Sequence, residues 1–440
     1  MNYPNQSERP ELFKIMNEEI ARVKATVKPG EQVLLALSGG VDSFVTAVMI
    51  HDAIGDRLKC VFVDHGGMRK GEADAIKTLF TERFGTNFIA VDASKEYLKA
   101  IRGVTDSEEL RKIIGKKFIE VFAAAAGRFD NIKYFGQGTI KTDLDESGAD
   151  GHKFVKTHHN TGIDALVAER GWELVEPLKR FNKEEVRTVG SWLGIPLPHL
   201  NRQPFPGPGN YLRVIGGAVT AKDLKTVSEF DSIVRKSIEH YYLPDAKQYF
   251  GAVAKNMKLE TPDRKYVKHV AEIVKKAVDK DVSAAIGSIQ IAKDINVTGI
   301  RDDARAMEPI MIINNSPIYA GITEGCSPHT SPLYNDLYMY SIQRGISNAI
   351  CKALPIGRVM YTWKLPWWTG AAERRNFHPY AFIVRTVNTV DFKSADTTYL
   401  NFDVQKSIMD GLAKKYRQSQ QNQLLLFDMT RKPSATIEYR

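Results

Sequence analysis

The segment that most narrows the fold runs from Gln32 to Ile54. Gln32-Val-Leu-Leu-Ala-Leu37 is short and almost wholly apolar, which predicts a strand buried on both faces, as inside a parallel sheet. Ser38-Gly-Gly-Val-Asp-Ser43 follows at once, and helical character resumes over Phe44 to Ile54. A helix that starts where a buried strand ends aims its first backbone N–H groups outward, and its dipole adds positive potential, so the turn favours an anion. Two glycines let the chain pass close to a phosphate, and Ser38 and Ser43 offer hydroxyls. Asp42 is a candidate for orienting the loop or contacting a cation. There is no Gly-Lys-Ser/Thr, so this is not a Walker loop. Taken alone, the two glycines suit a plain turn with a capping serine equally well.

The surroundings of this segment repeat its logic. Phe13, Met16, Ile20, Val23 and Val27 recur at helical spacing, and Pro29-Gly30 ends that helix. Cys60 to Asp64, Asn87 to Asp92 and Tyr134 to Gln137 read as further strands, with helices over Lys70 to Phe84 and Glu108 to Ala126. Strand alternating with helix predicts an α/β fold with a doubly wound parallel sheet. Pro204-Phe-Pro-Gly-Pro-Gly209 can continue neither a helix nor a central strand, so it reads as a stiff loop and a domain boundary. Two helices follow, over Ala221 to Tyr242 and Tyr266 to Val278. Strands are expected at Pro309 to Ile313, Val359 to Trp363, Ala381 to Thr386 and Leu424 to Phe427. The expected division is an N-terminal helix over residues 1–30, an α/β domain over 31–215 and an α+β domain over 216–440.

Composition excludes some classes. The 61 Lys and Arg exceed the 52 Asp and Glu by 9, which permits an anionic ligand but does not by itself require one. Cys60, Cys326 and Cys351 are too few and scattered for a disulfide framework or a Cys-rich metal site, so reduced thiols in a reducing compartment are expected. The polar residues Met1 to Leu12 do not read as a secretory signal, and charge or glycine breaks every apolar run well short of a membrane span. The expectation is a cytoplasmic enzyme without a membrane segment.

The full string Ser38 to Ser43 after a buried strand resembles the PP-loop of the ATP pyrophosphatase superfamily, whose members cleave ATP between the α- and β-phosphates. Further segments resemble one branch, the synthetase portion of the GMP synthetases: Asp64-His-Gly-Gly-Met-Arg-Lys70 with Glu72, and Glu109 to Glu120. Gln137-Gly-Thr139 with Asp143 and Glu146, Lys156-Thr-His-His-Asn160, and Leu174 to Leu178 with Lys183 to Arg187 extend the likeness. So do Arg202 to Gly209 and the tail Lys432 to Tyr439. In the second half, Val297 to Arg305 resembles that family's Gly-Val-x-Gly-Asp-x-Arg element, and Arg385-Thr386 a segment on a later strand. The long spacing between these two elements is like the forms with an enlarged dimerisation domain. The turn at Lys141 to Ser147 and the final Tyr439-Arg440 depart from the family pattern.

The resemblance implies a C–N bond-forming, AMP-producing ligase: XMP + ATP + NH₃ → GMP + AMP + PPi, through an adenylated XMP. It implies ATP held by Ser38, Gly39, Gly40, Val41, Asp42 and Ser43, with the Val63 backbone at adenine. Mg²⁺ would contact Asp42 and Asp143. Asp42, Lys156 and His158 would serve catalysis, and XMP would be held by Arg202, Asp303, Arg305, Arg385, Lys432, Thr436, Ile437 and Glu438. By residue type alone, His158-His159 also suits a polar strand end and Asp143 a solvated loop. Only about thirty residues precede the loop strand, so no glutaminase domain is expected there; ammonia would come free or from a separate glutamine amidotransferase subunit. A homodimer built by the C-terminal domain is implied, and no nucleic-acid partner is expected. The other readings are a different PP-loop amidase, a tRNA-modifying ligase, and a nucleotide-binding paralogue without activity.

Overall fold

The computed structural model describes residues 3–143, 161–243, 245–278, 289–301, 304–314, 332–362, 377–389, 395–416, 424–430 and 439. The chain forms two compact units, Met1–Ile101 with Glu108–Gly209, and Arg102–Ser107 with Asn210–Arg440. Among the described residues, no helix is long and apolar enough to cross a membrane.

The first unit is built on five parallel strands: β1 (Gln32–Leu37), β2 (Leu58–Asp64), β3 (Phe88–Asp92), β4 (Ile132–Gly136) and β5 (Glu173–Val175), in the order β3-β2-β1-β4-β5. Parallel neighbours require crossovers, and these are helical. They are α2 (Val41–Ile54), α3 (Glu72–Phe84), α4 (Ser94–Ala100), α5 (Ser107–Ala126) and α6 (Thr161–Arg170); α1 (Pro10–Thr26) precedes the sheet and α7 (Lys183–Trp192) follows it.

Both faces of the sheet are covered, which is why its strands read as continuous apolar runs. On one face, Val33, Leu35, Leu37, Cys60, Phe62 and Tyr134 join a single core with Leu12, Met16 and Val23 of α1, Phe44 and Val48 of α2, Phe80 of α3 and Val186 of α7. Phe44 meets Phe80 there with ring centroids 4.5 Å apart. On the opposite face Phe135 packs edge-on against Phe122 of α5 at 5.9 Å. The expected doubly wound α/β sheet is therefore present. Cys60 is a fully buried thiol whose pKa burial drives upward, as suits a core residue.

The second unit holds a mixed sheet in the order β6-β7-β11-β13-β10-β9-β8, with β12 on β11. Its strands are β6 (Val214–Ile215), β7 (Gln248–Lys258), β8 (Ile289–Arg301), β9 (Ala304–Asn314), β10 (Arg358–Thr362), β11 (Phe377–Asn388), β12 (Asp396–Thr397) and β13 (Leu424–Asp428). The helices are α8 (Ala221–Tyr241), α9 (Arg264–Val278), α10 (Pro332–Ala353) and α11 (Phe402–Lys415). The sequence periodicity predicts helix on either side of Gln248–Lys258, and the structure adds this strand between them. Gly251 breaks the strand's β pattern because α8 crosses it closely: a Cβ on Gly251 would lie 2.6 Å from Phe230 and 3.0 Å from the Asp231 backbone. Val297 to Arg301 and Ala304 to Arg305 likewise belong to an antiparallel pair of strands, β8 and β9, in which Ile300 pairs with Arg305.

Candidate nucleotide site

A sheet in the order 3-2-1-4-5 reverses its winding between β1 and β4, so the loops leaving those two strands diverge and open a crevice at their carboxyl ends. Ser38 to Gly40 leave β1 on one side of it, and Gln137 to Asp143 leave β4 on the other. The second loop packs closely on α2: a Cβ on Gly138 would lie 3.2 Å from the Asp42 carbonyl carbon and 3.2 Å from Thr46 Oγ1, so a larger residue would press on its neighbours.

The first loop has the geometry of an anion turn. Gly39 adopts φ +74°, the left-handed region, and Gly40 caps α2 in extended conformation. Gly40 N–H donates to Ser38 Oγ at 3.2 Å, Ser43 Oγ donates to the Gly40 carbonyl at 3.0 Å, and the two serine hydroxyls lie 3.0 Å apart. Hydroxyls that bond one another here can turn toward a ligand oxygen without leaving a buried group unpaired. At the first turn of α2, Asp42 receives Lys183 Nζ on both carboxylate oxygens, at 2.7 and 2.6 Å. Lys183 opens α7, whose Asn182 and Glu185 form a reciprocal capping box that fixes where the helix starts. An ammonium is thus delivered to the mouth of the turn from 141 residues away in sequence.

A second cationic group stands behind the loop. Arg202 Nη1 donates to the Gly39 carbonyl, and its Nη2 pairs with Glu72 Oε1 at 2.5 Å. Arg69 Nη1 lies 3.7 Å from the same Glu72 oxygen and its Nη2 reaches the Pro204 carbonyl at 3.2 Å, with its guanidinium over the Phe205 ring at 4.5 Å. Gly209 ends this segment at φ +62°, where a Cβ would lie 2.4 Å from the Gly67 carbonyl oxygen. Close approach of two backbones is therefore the reason for that glycine. His65, between them, is buried and held below the ordinary imidazole value by desolvation; its Nδ1 accepts from Gly67 N–H at 3.0 Å.

On the far side of the crevice, Thr139 Oγ1 donates to Glu176 Oε1 at 2.6 Å, and Asp143 Oδ2 accepts from Ile140 N–H at 3.0 Å. Among the described residues, no three His, Cys, Asp or Glu side chains converge as a metal site. A magnesium ion that arrives on nucleotide phosphates needs only one or two carboxylates and keeps several waters. Asp42 and Asp143 provide such hard oxygens on the two loops that flank the crevice, so the donor set fits that ion.

The structure thus brings together Ser38, Gly39, Gly40, Val41, Asp42 and Ser43, with Arg202 directly behind them. Val63 lies at the end of β2, paired with Val91 and buried. Arg385 is in the second unit, fully buried, with its Nη1 donating to Asp428 Oδ2 at 2.6 Å and to the Thr430 carbonyl at 3.3 Å. These bonds tie β11 to the end of β13. Arg305 lies on β9 opposite Ile300. Lys156, His158, Asp303, Lys432, Thr436, Ile437 and Glu438 lie outside the described residues, as do Cys326 and His329. Lys183 and Glu72 were recognised as motif residues but given no role. The capping box marked where α7 begins, whereas its return to the loop is a tertiary fact.

A glycine turn between buried strand and helix, at the switch point of a parallel 3-2-1-4-5 sheet, defines a doubly wound α/β unit with a candidate anion turn at the crevice. Over 233 residues the chain is 48% identical to the "GMP synthase [glutamine-hydrolyzing]" of Bacillus subtilis, covering 53% of this chain and 45% of that protein. It is 46% identical over 240 residues to the protein of the same name from Streptococcus equi subsp. zooepidemicus, covering 54% and 45%. The chain spans about half the length of the curated relatives it matches. No family model matches it. Among solved structures, NMN synthetase from Francisella tularensis superposes on 48% of this chain and 84% of its own at TM-score 0.35 and 14% identity, too loosely to bear on the fold.

Proposed function

We propose that the chain carries the synthetase activity of a GMP synthase: ATP-dependent amination of XMP to GMP, with AMP and pyrophosphate released. The observation that carries this reading is the 48% identity over 233 residues to a GMP synthase, supported by the anion-turn geometry at the switch point. The chemical problem is that the C2 oxygen of xanthine is a poor leaving group. Transfer of AMP onto it supplies a good one, and ammonia then displaces AMP at C2. Charge grows on the departing β,γ-phosphates, so the protein's work is electrostatic and needs no protein nucleophile.

The Gly40 N–H, the Ser38 and Ser43 hydroxyls and the α2 N-terminus receive those phosphates, and Lys183 adds a positive charge beside them. Mg²⁺ held by Asp42 and Asp143 would supply charge neutralisation on the phosphate oxygens. Lys156 and His158 are the remaining proposed catalytic groups, and Asp303, Arg305, Lys432, Thr436, Ile437 and Glu438 the proposed XMP contacts. Ammonia enters free or from a separate glutamine amidotransferase subunit, and a homodimer in the cytoplasm is the proposed working form.

Purified chain given ATP, Mg²⁺, XMP and ammonium should form AMP and GMP in equal amounts, and no AMP without XMP. Asp42→Ala should abolish AMP formation with the melting transition retained. Full turnover by that variant, or AMP release independent of XMP, would overturn the reading.

A further inference from the structure

The Gly39–Gly40 peptide presents its two ends to different partners. Its carbonyl receives Arg202 Nη1, while its N–H points at Ser38 Oγ, 3.2 Å away on the mouth side of the turn. The described chain contains no cis peptide, and in a trans peptide C=O and N–H point in opposite directions. Whatever fixes the carbonyl therefore also aims the N–H. Gly39 imposes no orientation of its own, because glycine occupies the left-handed region as readily as others. Ser38 Oγ holds the N–H from within the turn, and Arg202 holds the carbonyl from outside it.

Glu72 is placed to hold Arg202 there. Its Oε1 takes Arg202 Nη2 at 2.5 Å and its Oε2 receives the Arg69 backbone N–H at 3.2 Å, so the carboxylate is fixed to the start of α3. Side-chain exposure is 13% for Arg202 and 14% for Glu72, so solvent screens the pair weakly. A guanidinium is planar, and holding one nitrogen on Glu72 sets the direction of the other. Arg202 also touches the space that a Gly39 side chain would use, since a Cβ there would be 3.3 Å from Nη1.

We infer that Glu72 and Arg202 are positioning residues that act from behind the turn, holding the Gly39 carbonyl so that the Gly40 N–H faces the departing diphosphate. This rests on reading the turn as a pyrophosphate site, and it gives Arg202 a role toward ATP rather than XMP. It also explains why Arg202, two residues past the end of the helical turn at Leu197–Leu200, is half-buried against the loop.

The test is binding of magnesium pyrophosphate and of XMP, each measured calorimetrically on the full chain. Glu72→Ala should weaken pyrophosphate about tenfold and leave XMP within about twofold, and Arg202→Ala should do the same. The double variant should lose no more than Arg202→Ala alone, because the two act as one unit. Glu72→Gln, which keeps the volume and one hydrogen bond, should fall between wild type and Glu72→Ala and guards against a folding failure. The Gly40 amide of the ligand-free protein should exchange faster in Glu72→Ala, a readout that needs no ligand. Unchanged pyrophosphate affinity, additive losses, or a loss confined to XMP would each overturn the inference. Failure of wild type to bind pyrophosphate would instead overturn the site reading itself, whatever the variants do.

Discussion

Gly39→Ala tests the turn at its most constrained point. The residue sits at φ +74°, where an added side chain carries a backbone penalty of roughly 1–2 kcal/mol. The new Cβ would also lie 2.5 Å from Ile76 Cδ1 and 3.3 Å from Arg202 Nη1. Ile76 Cδ1 is the end of a flexible chain, so the crowding belongs at the low end of the overpacking range, about 1 kcal/mol. The total is about 2–3 kcal/mol. At an m-value of about 2 kcal/mol/M this moves the urea midpoint of the first unit down by about 1 M. Gly30→Ala is the matched control: φ is +86° there but nothing lies within 4 Å, so only the backbone penalty applies. Urea melts of both variants, with magnesium pyrophosphate titrations, make the comparison. Gly39→Ala should be the less stable of the two and lose about tenfold or more in pyrophosphate affinity. Equal midpoints for the two variants, with affinity intact in Gly39→Ala, would refute the packing argument and the role of the turn together.

Three further outcomes follow from the same geometry. Lys183→Met should change stability by under about 1 kcal/mol, since its partner carboxylate is partly exposed, yet reduce the rate of AMP formation on the order of a hundredfold in steady-state kinetics. His65 has its pKa lowered by burial, so its contribution is whole above the unfolded value near pH ~6.5 and is lost as pH falls below it; His65→Gln should flatten that acid limb in urea melts across the range. In the second unit, burial pushes Asp428 upward but Arg385 and then Arg358 outweigh it and hold the carboxyl below the usual range. Asp428→Asn, leaving two buried guanidiniums against no carboxylate of their own, should cost about 3–5 kcal/mol in thermal unfolding, more than Arg358→Met, which keeps the Arg385–Asp428 pair.

The first unit was legible because its signals are local. Five apolar residues, two glycines and a return of helical character state a strand, a turn and a helix, and Cys60 to Asp64 repeats the strand signal. β5 escaped because it is three residues long, with two of them exposed at the edge of the sheet. β7 escaped because Gly251 answers to α8 rather than to strand propensity. Within the site, Ser38 to Ser43 are contiguous and could be read directly. Lys183 and Glu72 reach the turn through folds of the chain that no periodicity records, so their contacts became visible only in three dimensions. Arg385 adds a partner that its motif did not announce: its guanidinium is fully buried against Asp428.

The most direct test of the account is where pyrophosphate lies in a crystal of this chain grown with the magnesium salt. Phosphate oxygens should lie within hydrogen-bonding distance of the Gly40 amide and of the Ser38 and Ser43 hydroxyls, with Lys183 drawn onto them. Density for the anion elsewhere, with Ser38 and Ser43 still bonded to each other, would contradict it.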